Sequence, residues 1–128
     1  ILEMDSIYVD HLNLSQIRLI KNADYPWLIL VPEINGICEI TDLTNDQYNM
    51  LCSEIRLAAK ILKDLFQPDK LNIATIGNKV NQLHYHIIAR FENDKSFPET
   101  VWGKEFTPYT ENKDTIIVEK IRKKLVYN

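Results

Sequence analysis

A single long helical stretch constrains the fold of this chain more than any other feature. Thr44–Gln47 has the spacing of a capping box, with a hydroxyl at the start and an amide three residues on. Behind it, Tyr48, Leu51, Ile55, Ala58, Leu62 and Leu65 recur at helical spacing. Pro68 closes the pattern, so a helix is predicted from about Asn45 to Phe66. Around it the chain reads as short strands. Ser6–Val9 is a weak candidate, and Gln16–Ile20 alternates polar and apolar residues. Asn22–Pro26 has the residues of a turn. Trp27–Val31 is continuously apolar, as a central strand is, and Pro32 ends it. Leu71–Ile76 alternates, and Gly77 and Asn78 then signal a turn. Residues 91–110 carry Pro98, Gly103 and Pro108 as breakers and read as irregular. A last helix is expected over Thr115–Val126, with Ile117, Ile121 and Leu125 on one face and basic Arg122, Lys123 and Lys124 at its end. The sum is an α+β domain with about five strands, one long helix and a C-terminal helix.

With 128 residues, 45% of them apolar, the chain suits one domain, here read as residues 1–128. A net charge of −3 argues against broad capture of nucleic acid but leaves room for a local phosphate site. No apolar run has the length of a membrane span, and the opening residues do not resemble a signal peptide. Cys38 and Cys52 form no metal or redox motif; Cys52 falls in the long helix and reads as a small apolar residue. A reducing cytoplasm is the expected compartment.

The chemistry concentrates in Gln82–Ile88, which holds two of the three histidines two residues apart. Tyr, Ile and Leu dominate the run and Gly and Pro are missing, so it reads as a strand, hairpinned to Leu71–Ile76 by a short connection. Side chains alternate along a strand, which puts Gln82, His84 and His86 on one face and Leu83, Tyr85 and Ile87 on the other. Tyr85 is then a core residue. Three readings stay open at this point. The pair is surface polarity or a satisfied hydrogen-bonded pair; or it supplies two metal ligands, where zinc wants three or four; or one imidazole attacks phosphorus while an acceptor holds its other nitrogen. In the third reading, turn amides near Gly77 and Asn78 cradle the phosphate. The remaining histidine, His11, reads as a partly exposed strand or turn residue.

The segment Gly77–Arg90 resembles the signature of the histidine-triad (HIT) family, His-x-His-x-His followed by two apolar residues. Trp27–Pro32 is similar to the family's apolar strand ending in Pro, and the resemblance covers roughly residues 15 to 92. Tyr25–Pro32 and Val101–Gly103 resemble a bacterial branch labelled diadenosine-tetraphosphate hydrolase-like. The resemblance implies a five-stranded antiparallel sheet, a homodimer, and a nucleotide-binding hydrolase or transferase acting on the α-phosphate of nucleotide conjugates. No metal or other cofactor is implied for the nucleophilic step. It makes His84 the nucleophile and His86 the group that binds phosphate and assists proton transfer. Gln82 stands where the first His of the triad belongs; its backbone carbonyl helps orient the nucleophile. Asn35 stands where the family often has a further His, and Asn cannot act as a general acid at neutral pH. In the phosphate-binding turn Asn78 stands where the family often has Gln and Lys79 where a hydroxyl is common; Lys79 reads equally as a charge for the phosphate and as a solvated turn lysine. Asn72 corresponds to a phosphate-contacting Asn, and Asn22 either to a ribose-binding Asp or to a plain turn residue. Trp102 reads as a wall of the nucleotide pocket, as part of the dimer interface or as ordinary packing. The departures at Gln82 and Asn35 keep a second reading alive, a nucleotide-binding module with little turnover.

Overall fold

The computed structural model describes residues 5–127. Five strands, β1 (Ser6–His11), β2 (Ser15–Ile20), β3 (Trp27–Pro32), β4 (Lys70–Ala74) and β5 (Tyr85–Arg90), form one antiparallel sheet in the order β1-β2-β3-β5-β4. The continuously apolar β3 lies in the middle, and Trp27, Leu28, Ile29 and Leu30 are all buried, because both of its faces are covered. Helix α1 (Asn45–Phe66) forms as its sequence dictates. The Thr44 hydroxyl accepts the Gln47 amide at 3.2 Å and the Gln47 side chain accepts the Thr44 amide at 2.9 Å, closing the capping box. The helix stops where Gln67 turns left-handed ahead of Pro68.

One face of the sheet packs against α1 and the C-terminal helix α2 (Lys113–Val126). Ile17, Leu19, Leu28, Leu30, Ile87 and Ala89 meet Ala58, Ile61 and Leu62 of α1 and Val118 and Ile121 of α2 there. Tyr85 packs at the margin of this cluster. Arg122 ties α2 to β1 by donating to the Val9 carbonyl at 2.7 Å. The other face is covered by chain alone, with Val101 and Trp102 lying on Ile20, Trp27, Ile29 and Ile88. Among the described residues no helix is long and apolar enough to cross a membrane.

Four local expectations need correction. Residues 75–84 separate β4 from β5, so the connection is not a tight turn. The last strand begins at Tyr85 rather than Gln82, because other partners draw the backbone off the ladder. The Leu83 amide donates to the Ile37 carbonyl at 2.9 Å, and the His84 carbonyl accepts from the Thr75 hydroxyl at 2.7 Å. Tyr48 is exposed, one turn outside Leu51, which already closes a small cluster with Ile37 and Leu83. Cys52 is exposed as well, so it is no core residue.

Candidate active site

His84 and His86 lie on the face of the sheet away from the helices, both more than nine-tenths buried, with ring centroids 4.9 Å apart. Their inner nitrogens meet opposite kinds of partner. His84 Nδ1 lies 2.8 Å from the Gln82 backbone carbonyl. A carbonyl only accepts, so Nδ1 carries a proton, and in the neutral ring the lone pair is on Nε2. His86 Nδ1 lies 3.0 Å from the indole Nε1 of Trp27. An indole N–H only donates, so His86 Nδ1 is the bare nitrogen and the proton sits on Nε2. Burial, with the neighbouring His84 adding to it, pushes the His86 pKa down to about 4. At neutral pH His86 is therefore a neutral imidazole with an N–H to offer, and it stands beside a ring whose outer nitrogen, Nε2, is the one open to attack a substrate.

The two rings line a cavity of about 490 Å³, within the range of about 300–1,000 Å³ common for small-molecule sites. Ile20, Trp27, Trp102 and Phe106 give it an apolar wall, and the turn residues Asn78 and Lys79 line it as well. Trp27 meets Trp102 and Phe106 at ring separations of 6.0 and 5.8 Å, and Trp102 meets His86 at 5.3 Å. Among the described residues no group of three or more His, Cys, Asp or Glu side chains is placed to hold a metal ion.

Trp102 belongs to the segment read as irregular, and buried polar contacts hold that segment in place. Arg90, at the end of β5 and 1% exposed, binds Asp94 through Nε and Nη2 at 2.8 and 3.1 Å. Burial pushes the Asp94 carboxyl up, but the Arg90 guanidinium and the amides of Phe91, Ser96 and Phe97 outweigh it and hold the group well below the usual carboxylate range. The Tyr25 hydroxyl reaches Ser96 at 2.8 Å, and Thr107 binds Asp24 through its hydroxyl and the Ala23 amide through its carbonyl. Gly103, at φ +81°, turns the chain just after Trp102, a backbone state open to glycine at little cost.

Asn78, Lys79, His84, His86 and Trp102 thus meet at one cavity. Gln82 and Asn35 do not line it; they line a neighbouring cavity with Arg18 and Val31. The Gln82 side chain is not on a strand face beside the histidines. Its amide donates to the Pro32 carbonyl at 3.0 Å, clasping the end of β3. Asn72 and Asn22 are committed elsewhere, because local polar groups claim them. The Asn72 side-chain oxygen accepts from Arg90 at 2.9 Å, and that of Asn22 accepts the Asp24 amide at 3.0 Å in a local turn. His11 is exposed and pairs with Glu33. The sequence reading missed Trp27 as a partner of His86, 59 residues away. The signal was present in a tryptophan opening an otherwise aliphatic strand, but its partner depends on strand register.

The HIT domain profile matches residues 2–93. The chain belongs to the HIT family. Solved HIT structures match it over nearly its whole length. A histidine triad protein from Bradyrhizobium japonicum is 40% identical over 96% of this chain and 92% of its own, with a TM-score of 0.93. A HIT protein from Sinorhizobium meliloti 1021 shares the same identity and coverage, with a TM-score of 0.92. A histidine triad protein from Marinobacter aquaeolei VT8 is 36% identical over 98% of this chain and 93% of its own, with a TM-score of 0.93. The five-stranded sheet with one long and one C-terminal helix is the HIT fold. A comparison with curated proteins finds no match.

Proposed function

We propose that this HIT protein is a nucleotide-binding hydrolase or nucleotidyltransferase that works through a nucleotidyl intermediate on His84. Its substrates are nucleoside phosphate conjugates, such as dinucleoside polyphosphates or phosphoramidates. The observation that carries this reading is the opposite kind of partner on the two Nδ1 atoms, a carbonyl acceptor at His84 and an indole donor at His86. His84 Nε2 attacks the α-phosphorus, an N–P bond forms, and the bond to the leaving group breaks with its electron pair on the leaving atom. The Nδ1–H keeps donating to the Gln82 carbonyl, which steadies the ring as it gains positive charge. His86 donates its Nε2–H to a phosphate oxygen, a role a neutral imidazole fills without a proton being lost. Water then attacks phosphorus, an O–P bond forms while the N–P bond breaks with its electron pair returning to Nε2, and the proton lost by the water passes to solvent. Asn78 and Lys79 serve the phosphate from the turn, and Trp102 and Phe106 offer faces on which a base stacks. The aromatic wall and the Val101–Gly103 segment support a place in the diadenosine-tetraphosphate hydrolase-like branch.

The deciding experiment is product formation on diadenosine polyphosphates and adenosine phosphoramidate by wild type and His84→Ala. Nucleoside monophosphate release that disappears in the variant is expected. Nucleotide binding without turnover by wild type moves the assignment to a binding module.

A homodimer fits the surface. Tyr48 on α1 and Ile73 on the edge strand β4 are 44% and 47% exposed apolar side chains, on the helix side of the sheet. Light scattering after chromatography is expected to give twice the chain mass for wild type and a smaller mass for Ile73→Asp. The exposed free thiols of Cys38 and Cys52 support a reducing, cytoplasmic setting.

A further inference from the structure

The second cavity, of about 360 Å³, is lined by a charge with which no carboxylate among the described residues forms an ion pair. Arg18 is 9% exposed. Its guanidinium donates from Nε to the Ser6 hydroxyl at 2.7 Å, from Nη1 to the Gln16 side-chain oxygen at 2.6 Å and from Nη2 to the Ser6 carbonyl at 3.1 Å. All three acceptors are neutral. A guanidinium has five N–H donors, so among the described residues two of them meet no acceptor and no carboxylate pairs with Arg18. Buried charges are normally paired, because an unanswered one is costly to keep from water. Glu33 also lines the cavity, and its carboxylate pairs with His11.

The cavity adjoins the catalytic pair. Gln82 lines it while its carbonyl holds His84 Nδ1. Arg18 pairs in register with Ile29, and Ile29 with His86, so Arg18 and His86 stand in one cross-strand row. Two strand spacings separate them, roughly 10 Å between backbones. A chain of two or three phosphates bridges such a gap.

We propose that Arg18, with Asn35 beside it, forms an anion subsite for the leaving portion of the substrate, selecting conjugates whose leaving group is itself a phosphate or polyphosphate. This deepens the hydrolase reading above and rests on it. The chemistry agrees. Asn35 has no proton to give, and His86 is neutral, so an amine leaving group lacks a ready acid. A phosphate leaving group needs none. As the His84 N–P bond forms and the P–O bond breaks, the electron pair stays on the leaving oxygen, and Arg18 offsets the charge.

The test uses the whole protein in chelator. Inorganic pyrophosphate is titrated calorimetrically into wild type, Arg18→Met and Asn35→Asp, and the three proteins are compared on diadenosine tetraphosphate and adenosine phosphoramidate. Pyrophosphate should bind wild type and weaken about tenfold to a hundredfold in Arg18→Met, as expected for loss of a charged hydrogen-bonding partner. The ratio of the diadenosine tetraphosphate rate to the phosphoramidate rate should fall by a similar factor. Asn35 is exposed, so Asn35→Asp places a like charge at the subsite without burdening the fold, and it should shift both readouts the same way. Pyrophosphate binding that is missing in wild type, or equal in all three proteins, overturns the subsite. Equal losses on both conjugates do so too. If wild type turns over neither conjugate, the hydrolase reading fails, while the pyrophosphate titration still decides Arg18.

Discussion

Trp27→Phe isolates one hydrogen bond on which the chemistry of His86 depends. The substitution keeps an aromatic ring among Ile20, Tyr25 and Val101 and deletes the 3.0 Å contact from the indole N–H to His86 Nδ1. That bond exists only while Nδ1 is unprotonated, so it disfavours the imidazolium. A hydrogen bond of this kind contributes about 1 kcal/mol net, and one pKa unit corresponds to about 1.4 kcal/mol. The His86 pKa should therefore rise from about 4 to roughly 5. It should stay below the ordinary 6.5, because burial, the larger cause, persists. The unsatisfied buried acceptor should also cost about 1–3 kcal/mol of stability. Nitrogen-labelled histidine NMR reads both tautomer and titration. Wild type should show His86 with its proton on Nε2, and the variant a mixture of tautomers with the raised pKa. A wild-type His86 that titrates near 6.5, or carries its proton on Nδ1, refutes the argument. So does a Trp27→Phe protein whose His86 titrates as wild type does.

Stability should also record the depressed pKa. Between pH 6.5 and 4 the unfolded chain binds a proton at His86 and the folded chain does not. Folding stability should then decline as pH falls through that window, by about 3 kcal/mol, and the contribution of His86 should level off below pH 4. Urea denaturation at a series of pH values checks this, and the decline should shrink in His86→Asn. Asp94→Asn strands the buried Arg90 charge and should destabilise by about 3–5 kcal/mol in urea unfolding. Because Arg90 and Asp94 organise the segment leading to Trp102, tryptophan fluorescence should change in the folded state as well. An unchanged spectrum would separate the ion pair from the cavity wall.

The elements legible in the linear chain are those whose causes are local. The α1 capping box, its apolar period and the stop at Pro68 involve residues within one or two turns of each other, so helix and bounds follow from the string alone. The same holds for the buried β3, marked by five consecutive apolar residues, and for the His84–His86 spacing that brings two imidazoles to one cavity. Tertiary structure decided what those imidazoles are. The His84 tautomer rests on a carbonyl two residues away, but that of His86 rests on Trp27, which comes alongside only because β3 and β5 pair in one register. Gln82, expected beside the histidines, is drawn to the Pro32 carbonyl instead, and Arg18 reaches a cavity shared with Asn35 only through the sheet. Residues 91–110 have no periodicity to read, yet the buried Arg90–Asp94 pair orders part of them and leads the chain to Trp102. Local patterns select elements because backbone hydrogen bonds and side-chain period act over a few residues. Protonation, charge pairing and cavity walls depend on groups far apart in the chain, and strand order and register choose those neighbours.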